Sequence, residues 1–331
     1  MVHSHERIRR LTLLAATVTM GIGALPAHAI DRIELEIGSL AAPAVGAAGI
    51  RADLALPREA PLTATVQISS VDAGELVGTL KEVSVECGEL IVRQPRFACP
   101  EARVTARGGP TGALAFRGHA DYRSDAGAFT FGASRLALAD GRVSLDGRFG
   151  EGRWSVDADL RSLKLSRLRR LAARWVELPA TLTAEAGIGG RVRASGGGAT
   201  ATFVNVDLST SDLNFTNEEG TLVAEKVAAE LAGTVRLLRD GPMIDARLSS
   251  KAGQALAGPV LLDFGVNPLR LDVKGALNGE WIALKETSLE LQGLVDARGE
   301  AEITLRPAFA IRTARLTVGQ LRFPAAYTSF M

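Results

Sequence analysis

Few side chains in this sequence have the type and spacing needed for chemistry. The only two cysteines, Cys87 and Cys99, lie within the stretch VECGELIVRQPRFACPE, and His119 is the only histidine after residue 28. A metal or thiol redox site would require CxxC spacing or additional ligands. One histidine and two distant cysteines do not supply them. The cysteine pair therefore favours a structural disulfide, provided that the chain matures in an oxidising compartment.

His119 has Asp121 close by in RGHADYR, which raises the possibility of a Ser-His-Asp triad. Such a triad needs a nucleophile on a sharp turn, and the sequence contains no G-x-S-x-G motif. We therefore interpret His119 as a histidine on the surface of a strand.

Paired carboxylates and glycines also lack a catalytic pattern. Glu218 and Glu219 fall at an expected turn, and Asp157 and Asp159 alternate with apolar residues on an expected solvent face. The stretch AGIGGRVRASGGG matches neither phosphate-binding glycine motif, so its glycines are interpreted as loop glycines. We expect no catalytic residue, no metal site, no cofactor and no enzymatic activity.

The first 29 residues have the three parts of a secretory signal. A basic segment containing Arg7, Arg9 and Arg10 precedes an uncharged run from Leu11 to Leu25, followed by PAHA. The run is shorter than the roughly 20 residues that span a bilayer. We predict cleavage after Ala29 and a periplasmic mature chain; the alternative is an uncleaved inner-membrane anchor.

The charge balance argues against a nucleic-acid partner. Loss of residues 1–29 leaves 35 basic and 36 acidic residues, a net charge of −1. Nucleic-acid binding needs a concentrated basic face, which this balance does not favour.

In the periplasm the two cysteines are expected to form a hairpin disulfide. Val83, Val85 and Cys87 alternate on one strand, and RQP at 93–95 supplies a turn before Cys99 returns on the next strand. The spacing predicts that the cysteines lie opposite each other. Closing so short a loop would contribute roughly 3 kcal/mol in the chain-entropy model.

Most of the mature chain alternates apolar and polar residues with period two. In RVSLDGRF and WSVDADL, for example, every second residue is apolar, and GEG lies between the two segments. Period two is typical of half-buried antiparallel strands, and short Gly-, Asp- or Asn-rich links are typical of hairpins. About twenty such segments predict an all-β meander.

Two segments depart from clear period two. Residues 163–178, LKLSRLRRLAARWVEL, place Leu165, Leu168 and Trp175 at helical spacing, with Ser166 available as a cap, and predict an amphipathic helix. The segment TLVAEKVAAELAGTVRL fits both periods, and its flanking turn signals favour a strand.

A long sheet with one apolar face has to shelter that face from water. One short helix cannot cover it, so the sheet must curl on itself. The small inner residues favour an elongated open groove, β-taco-like, over a dry sandwich. The residues expected to line this groove are Leu114, Phe116, Phe129, Phe131, Val143, Leu145, Phe149, Trp154, Val156, Val204, Val206 and Leu208.

Three longer stretches carry a family resemblance. DLRSLKLSRLRRLAARWVELPATLTAEAGIGGRVRASGG, VDLSTSDLNFTNEEGTLVAEKVAAELAGTVRL and ARLTVGQLRFPAAYTSFM resemble the AsmA-like superfamily, in particular its YdbH-like branch. The resemblance covers most of the mature chain but includes no catalytic signature. It implies a periplasmic β-groove that carries phospholipid between the inner and outer membranes.

The expected organisation is a signal peptide at 1–29, a β-groove segment with the disulfide at 30–162, the helix at 163–178 and a second β-groove segment at 179–331. Family members are longer, so this chain is either the amino-terminal part of a longer protein or pairs with another chain at its C-terminal edge.

The expected function is non-enzymatic binding or transfer of phospholipid in envelope maintenance, with acyl chains as the main partner and a membrane protein as a further one. Arg167, Arg170 and Arg174 of the helix are candidate headgroup contacts, against the alternative that the helix only caps the sheet. The alternative function is an exported structural or adhesive scaffold with dry-packed sheets that binds another protein.

Overall fold

The structure is a computed structural model. It describes residues 30–42, 45–57, 59–72, 78–109, 112–172, 183–197, 200–238, 241–258, 260–278, 281–304 and 310–322. The predicted signal at 1–29 and residues 173–178 of the predicted helix lie outside the described residues.

The described residues form nineteen β-strands and one helix. The first ten strands are β1 (Arg32–Ala42), β2 (Val45–Ala55), β3 (Thr63–Asp72), β4 (Thr79–Cys87), β5 (Ile91–Arg93), β6 (Arg96–Gly108), β7 (Gly112–Arg123), β8 (Ala128–Leu138), β9 (Gly141–Gly150) and β10 (Arg153–Lys164). The helix is α1 (Leu165–Ala172), and the remaining strands are β11 (Thr183–Gly197), β12 (Thr200–Thr216), β13 (Leu222–Leu238), β14 (Gly241–Ala257), β15 (Val260–Asp263), β16 (Leu269–Asn278), β17 (Trp281–Leu291), β18 (Val295–Thr304) and β19 (Ala310–Leu321).

All nineteen strands belong to one open antiparallel sheet with the order of a meander. Each strand pairs with the next, except that β4 and β5 both pair with β6, and β15 and β16 both pair with β14. The resulting seventeen ladder positions extend roughly 80 Å along the sheet at about 4.8 Å each. The predicted all-β meander is confirmed, including the strand over the ambiguous segment, which is β13.

The strand ends form two rims. We call the rim that carries α1 and the turns 139–140, 217–221 and 264–268 the helix rim. The opposite rim, which carries the turns 94–95, 124–127 and 151–152, is the hairpin rim. The backbone N–H of Lys164 donates to the carbonyl of Ala139 at the helix rim, and that of Ser124 donates to Pro95 at the hairpin rim.

A line of β-bulges crosses the sheet near the helix rim. In each bulge a residue other than glycine adopts a positive φ, and the register shifts beside it; these residues are Glu82, Arg135, Ser162, Asp212 and Lys226. A bulge bends its strand and restarts the side-chain alternation. In β10, for example, apolar residues continue from Leu160 to Leu163 across Ser162.

The bulge line separates a packed margin from the rest of the sheet. At this margin Ala224, Val227, Phe264, Leu291 and Leu294 form a buried cluster. Towards the hairpin rim, apolar side chains on the same strands are only half-buried. The cluster of large buried side chains therefore lies at the helix rim, whereas the buried residues nearer the hairpin rim, such as Ala98 and Ala283, are small.

Helix α1 contacts β10 and β11. Leu165 and Leu168 are half-buried, whereas Ser166 and Arg167 are exposed, as predicted for an amphipathic helix. The predicted start is wrong, because Leu163 is the last buried residue of β10, with 2% of its surface exposed, and Ser166 lies inside the helix. The bulge at Ser162 keeps Leu163 in the sheet, paired with Ile188.

The cysteine hairpin is confirmed, but its register differs from the prediction. Arg93 pairs with Arg96 around the turn at 94–95, whereas Cys87 pairs with Ala102 rather than with Cys99. Residues 88–90 leave the ladder and bring the two cysteine Cα atoms to 6.0 Å, with the sulfurs at bonding distance. The pair is therefore positioned to form a disulfide, with a Cα separation in the usual range.

The positive φ at Ser162 predicts that a β-branched residue will be poorly tolerated there. L-residues pay about 1–2 kcal/mol in the left-handed region, and β-branched ones are genuine outliers. Ser162→Val should lower the free energy of unfolding by about 1–2 kcal/mol in urea titration. Ser155→Val, in the same strand but with ordinary strand backbone, should change it by less than about 0.5 kcal/mol. Equal stability of the two variants would contradict the bulge geometry.

Two buried hydroxyls near the bulge line predict effects of opposite sign. The Ser250 hydroxyl, in a residue only 3% exposed, donates to the carbonyl of Ala228 at 2.8 Å, so Ser250→Ala should cost about 1–3 kcal/mol. Thr287 Oγ1 is buried without a hydrogen-bond partner, so Thr287→Val should be neutral or stabilising by about 1 kcal/mol. Calorimetric melting of both variants checks this, and a large loss for Thr287→Val would refute it.

Candidate functional site

Cross-strand pairing assembles one continuous apolar face. Residues paired directly in an antiparallel sheet point to the same side, and Leu145 pairs with Ala158, which pairs with Val192, which pairs with Val206. The same reasoning brings together on this face the residues predicted to line a groove: Leu114, Phe116, Phe129, Phe131, Val143, Leu145, Phe149, Trp154, Val156, Val204, Val206 and Leu208.

The apolar face is less exposed than the opposite face. In β7, Phe116 and Ala120 of the apolar face are half-buried, whereas Ala115 and Arg117 of the opposite face are exposed. Ala120 and Ala115 therefore differ in exposure although their side chains are identical, because they lie on opposite faces of the sheet. Within the described residues neither a second sheet nor a long helix covers these strands, so the shielding comes from neighbouring side chains of the same sheet. We call this apolar face the trough.

Exposed aromatic rings line the trough near the hairpin rim. Phe97, Tyr122, Phe129 and Phe149 remain 37–44% exposed, and they lie in register with one another across β6–β9. The Phe97 and Tyr122 ring centroids are 6.4 Å apart. Rings of this size with two fifths of their surface exposed present on the order of 300 Å² of apolar area.

Phe97 and Tyr122 are not among the residues predicted above to line the groove. For Tyr122 the sequence signal is its period-two spacing from Phe116 in the same strand. The register of β6 with β7 establishes their place.

Two aromatic rings of the trough lie over glycines of the neighbouring strands. Phe131 lies over Gly147, and a Cβ added at Gly196 would lie 3.1 Å from Trp154 Nε1. A larger residue at either glycine would push the ring away from the sheet.

The outer face carries cross-strand ion pairs. Arg193 Nε lies 2.7 Å from Asp157 Oδ1, Arg117 Nη1 lies 2.9 Å from Glu101, and Lys274 Nζ lies 2.8 Å from Glu286. Surface pairs of this kind are each worth little. Because all three pairs lie on the outer face, this face is polar and solvent-exposed, opposite the trough.

The outer face lowers the pKa of several carboxyls. A hydrogen bond from Arg270, followed by the contribution of Arg247, holds the pKa of Asp272 below its ordinary value against partial desolvation. The Gln254 side-chain amide and the Gly265 backbone N–H lower the pKa of Asp263 in the same way. Both carboxylates are therefore stabilised in the folded chain.

The remaining chemical candidates lie on the outer face or at turns. His119 is exposed, pairs with Gly132, and lies across that glycine from Asp146. Asp157 pairs with Arg193, Asp159 accepts a hydrogen bond from Arg161 at 2.7 Å, and Glu218 and Glu219 are exposed at a turn. His119, Asp157 and Asp159 line one open cleft of the outer face together with Ser144, whereas Glu218 and Glu219 lie apart from it.

The helix arginines show no shared site in the part of the chain that the structure describes. Arg167 Nε lies 3.0 Å from Asp140 Oδ2. The side chain of Arg170 and the whole of Arg174 lie outside the described residues. Arg167 therefore has an internal partner, and the headgroup role of the three arginines stays a prediction.

The described residues contain no cluster of three or more His, Cys, Asp or Glu side chains that could hold a metal ion. They also contain no helix that is long and apolar enough to cross a membrane.

Comparisons with protein-family models, curated proteins and solved structures gave no match. The fold is a single open β-sheet. The resemblance to the AsmA-like superfamily stays a prediction.

The lowered carboxyl pKa values predict acid-sensitive stability. The unfolded chain binds protons near the ordinary pKa of about 4, whereas the folded carboxylates bind them only at lower pH. Their stabilisation is complete above the unfolded pKa and is lost as the pH falls through the lowered folded values. The melting temperature should therefore fall between about pH 5 and pH 2. Asp272→Asn should melt lower at neutral pH and lose less on acidification; an unchanged acid dependence would contradict the assignment.

Proposed function

We propose that this protein is a non-enzymatic, periplasmic lipid-binding groove segment that holds or transfers phospholipid acyl chains between the inner and outer membranes. The observation that carries the proposal is the trough: one apolar face, continuous across the strands, whose rings near the hairpin rim remain 37–44% exposed. A soluble chain rarely exposes so large a contiguous apolar area without a ligand or partner.

Acyl chains fit the trough chemically. Its lining consists of aliphatic and aromatic side chains, and each methylene that leaves water contributes about 0.8 kcal/mol. An acyl chain that lies against several strands would therefore be protected from water much as it is in a bilayer. Transfer along such a surface requires no covalent step.

The sheet is longer than one lipid needs. At roughly 80 Å along the sheet, the trough offers many adjacent positions with similar lining. An acyl chain could exchange between them without leaving the apolar surface. The length of the trough therefore favours a surface along which lipids move, rather than a closed pocket that holds one lipid.

The edge strands favour a second function, that of an exported scaffold that binds another protein. All twelve residues of β19 are exposed, among them Ile311, Leu316 and Val318, and within the described residues β19 pairs only with β18. An exposed edge strand is a template for pairing with another chain. The two functions are compatible, because a partner strand would extend the trough.

Lipid binding can be tested by substituting one side of a single strand. Val156 lies in the trough, and its neighbour Ser155 lies on the outer face opposite Arg148. Val156→Glu should weaken binding about tenfold, since it removes apolar contact and introduces a charge that lipid would desolvate. Ser155→Glu introduces the same charge and should leave binding unchanged. The measurement is phospholipid per chain, by mass spectrometry after detergent-free purification and reloading from vesicles.

A wild-type protein that neither co-purifies with phospholipid nor takes it up from vesicles would refute the lipid proposal and favour the scaffold. Equal binding by both variants, with melting temperatures matched to the wild type, would remove the trough as the binding surface.

A further inference from the structure

Arginines and aromatic residues occur as neighbours along one part of the hairpin rim. From β5 to β10 the strand ends at this rim carry Val92-Arg93, Arg96-Phe97, Tyr122-Arg123, Ala128-Phe129, Arg148-Phe149 and Arg153-Trp154. Five of these six pairs contain an arginine, and five contain an aromatic ring. Adjacent residues of a strand point to opposite faces. The rings therefore line the trough while the arginines face outwards at the same rim.

Three of the arginines are directly in register. Arg93 pairs with Arg96, and Arg96 pairs with Arg123, on three consecutive strands. Like charges directly opposite each other destabilise a sheet. This arrangement therefore requires compensating negative charge.

The chain supplies only part of that negative charge. Arg96 Nη2 lies 2.6 Å from Asp121, and Arg123 Nη2 lies 3.1 Å from Asp125. The Arg93 side chain is exposed and makes no ion pair or hydrogen bond with any described residue. The row thus keeps an uncompensated positive charge next to the exposed rings of Phe97 and Tyr122.

Arg148 and Arg153 continue the positive rim. Neither makes an ion pair with another described residue, and each precedes a trough aromatic, Phe149 and Trp154 respectively. Further along the same rim the pattern stops, because β11 ends in Ser195, Gly196 and Gly197. At β12–β13 the rim arginine Arg236 lies over the outer-face ring of Phe203, 5.7 Å from its centroid. Outward arginines beside trough rings are therefore a feature of β5–β10.

An apolar surface and a phosphate-binding guanidinium on two sides of one rim match the two parts of a phospholipid. Guanidinium groups bind phosphate by charge-assisted hydrogen bonds, and aromatic rings accommodate the interfacial end of an acyl chain. Building on the proposed function, we infer that this rim is where phospholipid enters the trough: its chains pass over the rings while its headgroup phosphate stays at Arg93, Arg96 and Arg123. The headgroup site is thereby assigned to the hairpin rim rather than to α1.

The assignment predicts a preference for anionic headgroups. The uncompensated charge of Arg93 should favour phosphatidylglycerol over phosphatidylethanolamine by about fivefold. The test compares uptake from vesicles of each lipid by the wild type and by a triple variant, Arg93→Gln, Arg96→Gln and Arg123→Gln. A matched triple variant, Arg103→Gln, Arg298→Gln and Arg312→Gln, removes three exposed arginines elsewhere.

The rim variant should lose the preference and take up lipid more slowly, while the matched variant keeps both properties. Unchanged preference in the rim variant, with lipid still bound, would overturn the rim assignment and leave the trough intact. A wild type that binds neither lipid would instead refute the proposed function. Binding of inorganic phosphate by the lipid-free protein with the same dependence on the three arginines would reassign the row to a small anion.

Discussion

The structure depends on an antiparallel register that keeps most large apolar side chains on one side of the sheet. Because side chains alternate with period two, a register shift of one residue between two strands would move the apolar side chains of the second strand to the polar face. Pairs such as Leu145 with Ala158 and Val192 with Val206 carry the same face from strand to strand. Short hairpins fix this register locally, so the long-range amphipathic character is the sum of many local pairings.

The bulge line changes that rule in one place. Five residues with positive φ, among them Ser162 and Lys226, restart the alternation and bend their strands. Beyond them Leu163, Val227 and Phe264 become buried. A single sheet thus obtains a packed core at one rim without a second sheet, which explains how so open a fold retains a stable margin.

The sequence predicts the regular part of this architecture and fails at its irregularities. Alternation of small apolar and charged residues is sufficient to infer a one-sided meander, and it identifies both the trough face and the solvent side of Asp157. The cysteine register could not be inferred, because residues 88–90 leave the ladder and shift Cys87 to Ala102. The start of α1 could not be inferred either, since helical and strand periods overlap at Leu163 and only the bulge at Ser162 separates them. The arginine row depends on register across three strands, which composition does not reveal.

The two rims therefore differ in stability as well as in chemistry. At the helix rim the buried cluster around Phe264 and the hydrogen bond from Ser250 restrain the backbone. At the hairpin rim the rings of Phe97 and Phe149 are exposed, and no comparable buried cluster lies on that side within the described residues. Regions with few buried apolar contacts open at lower free energy. Opening should consequently begin at the hairpin rim, on the side where the rings and arginines meet, and a surface that must admit a ligand gains from being the part of the sheet that costs least to deform.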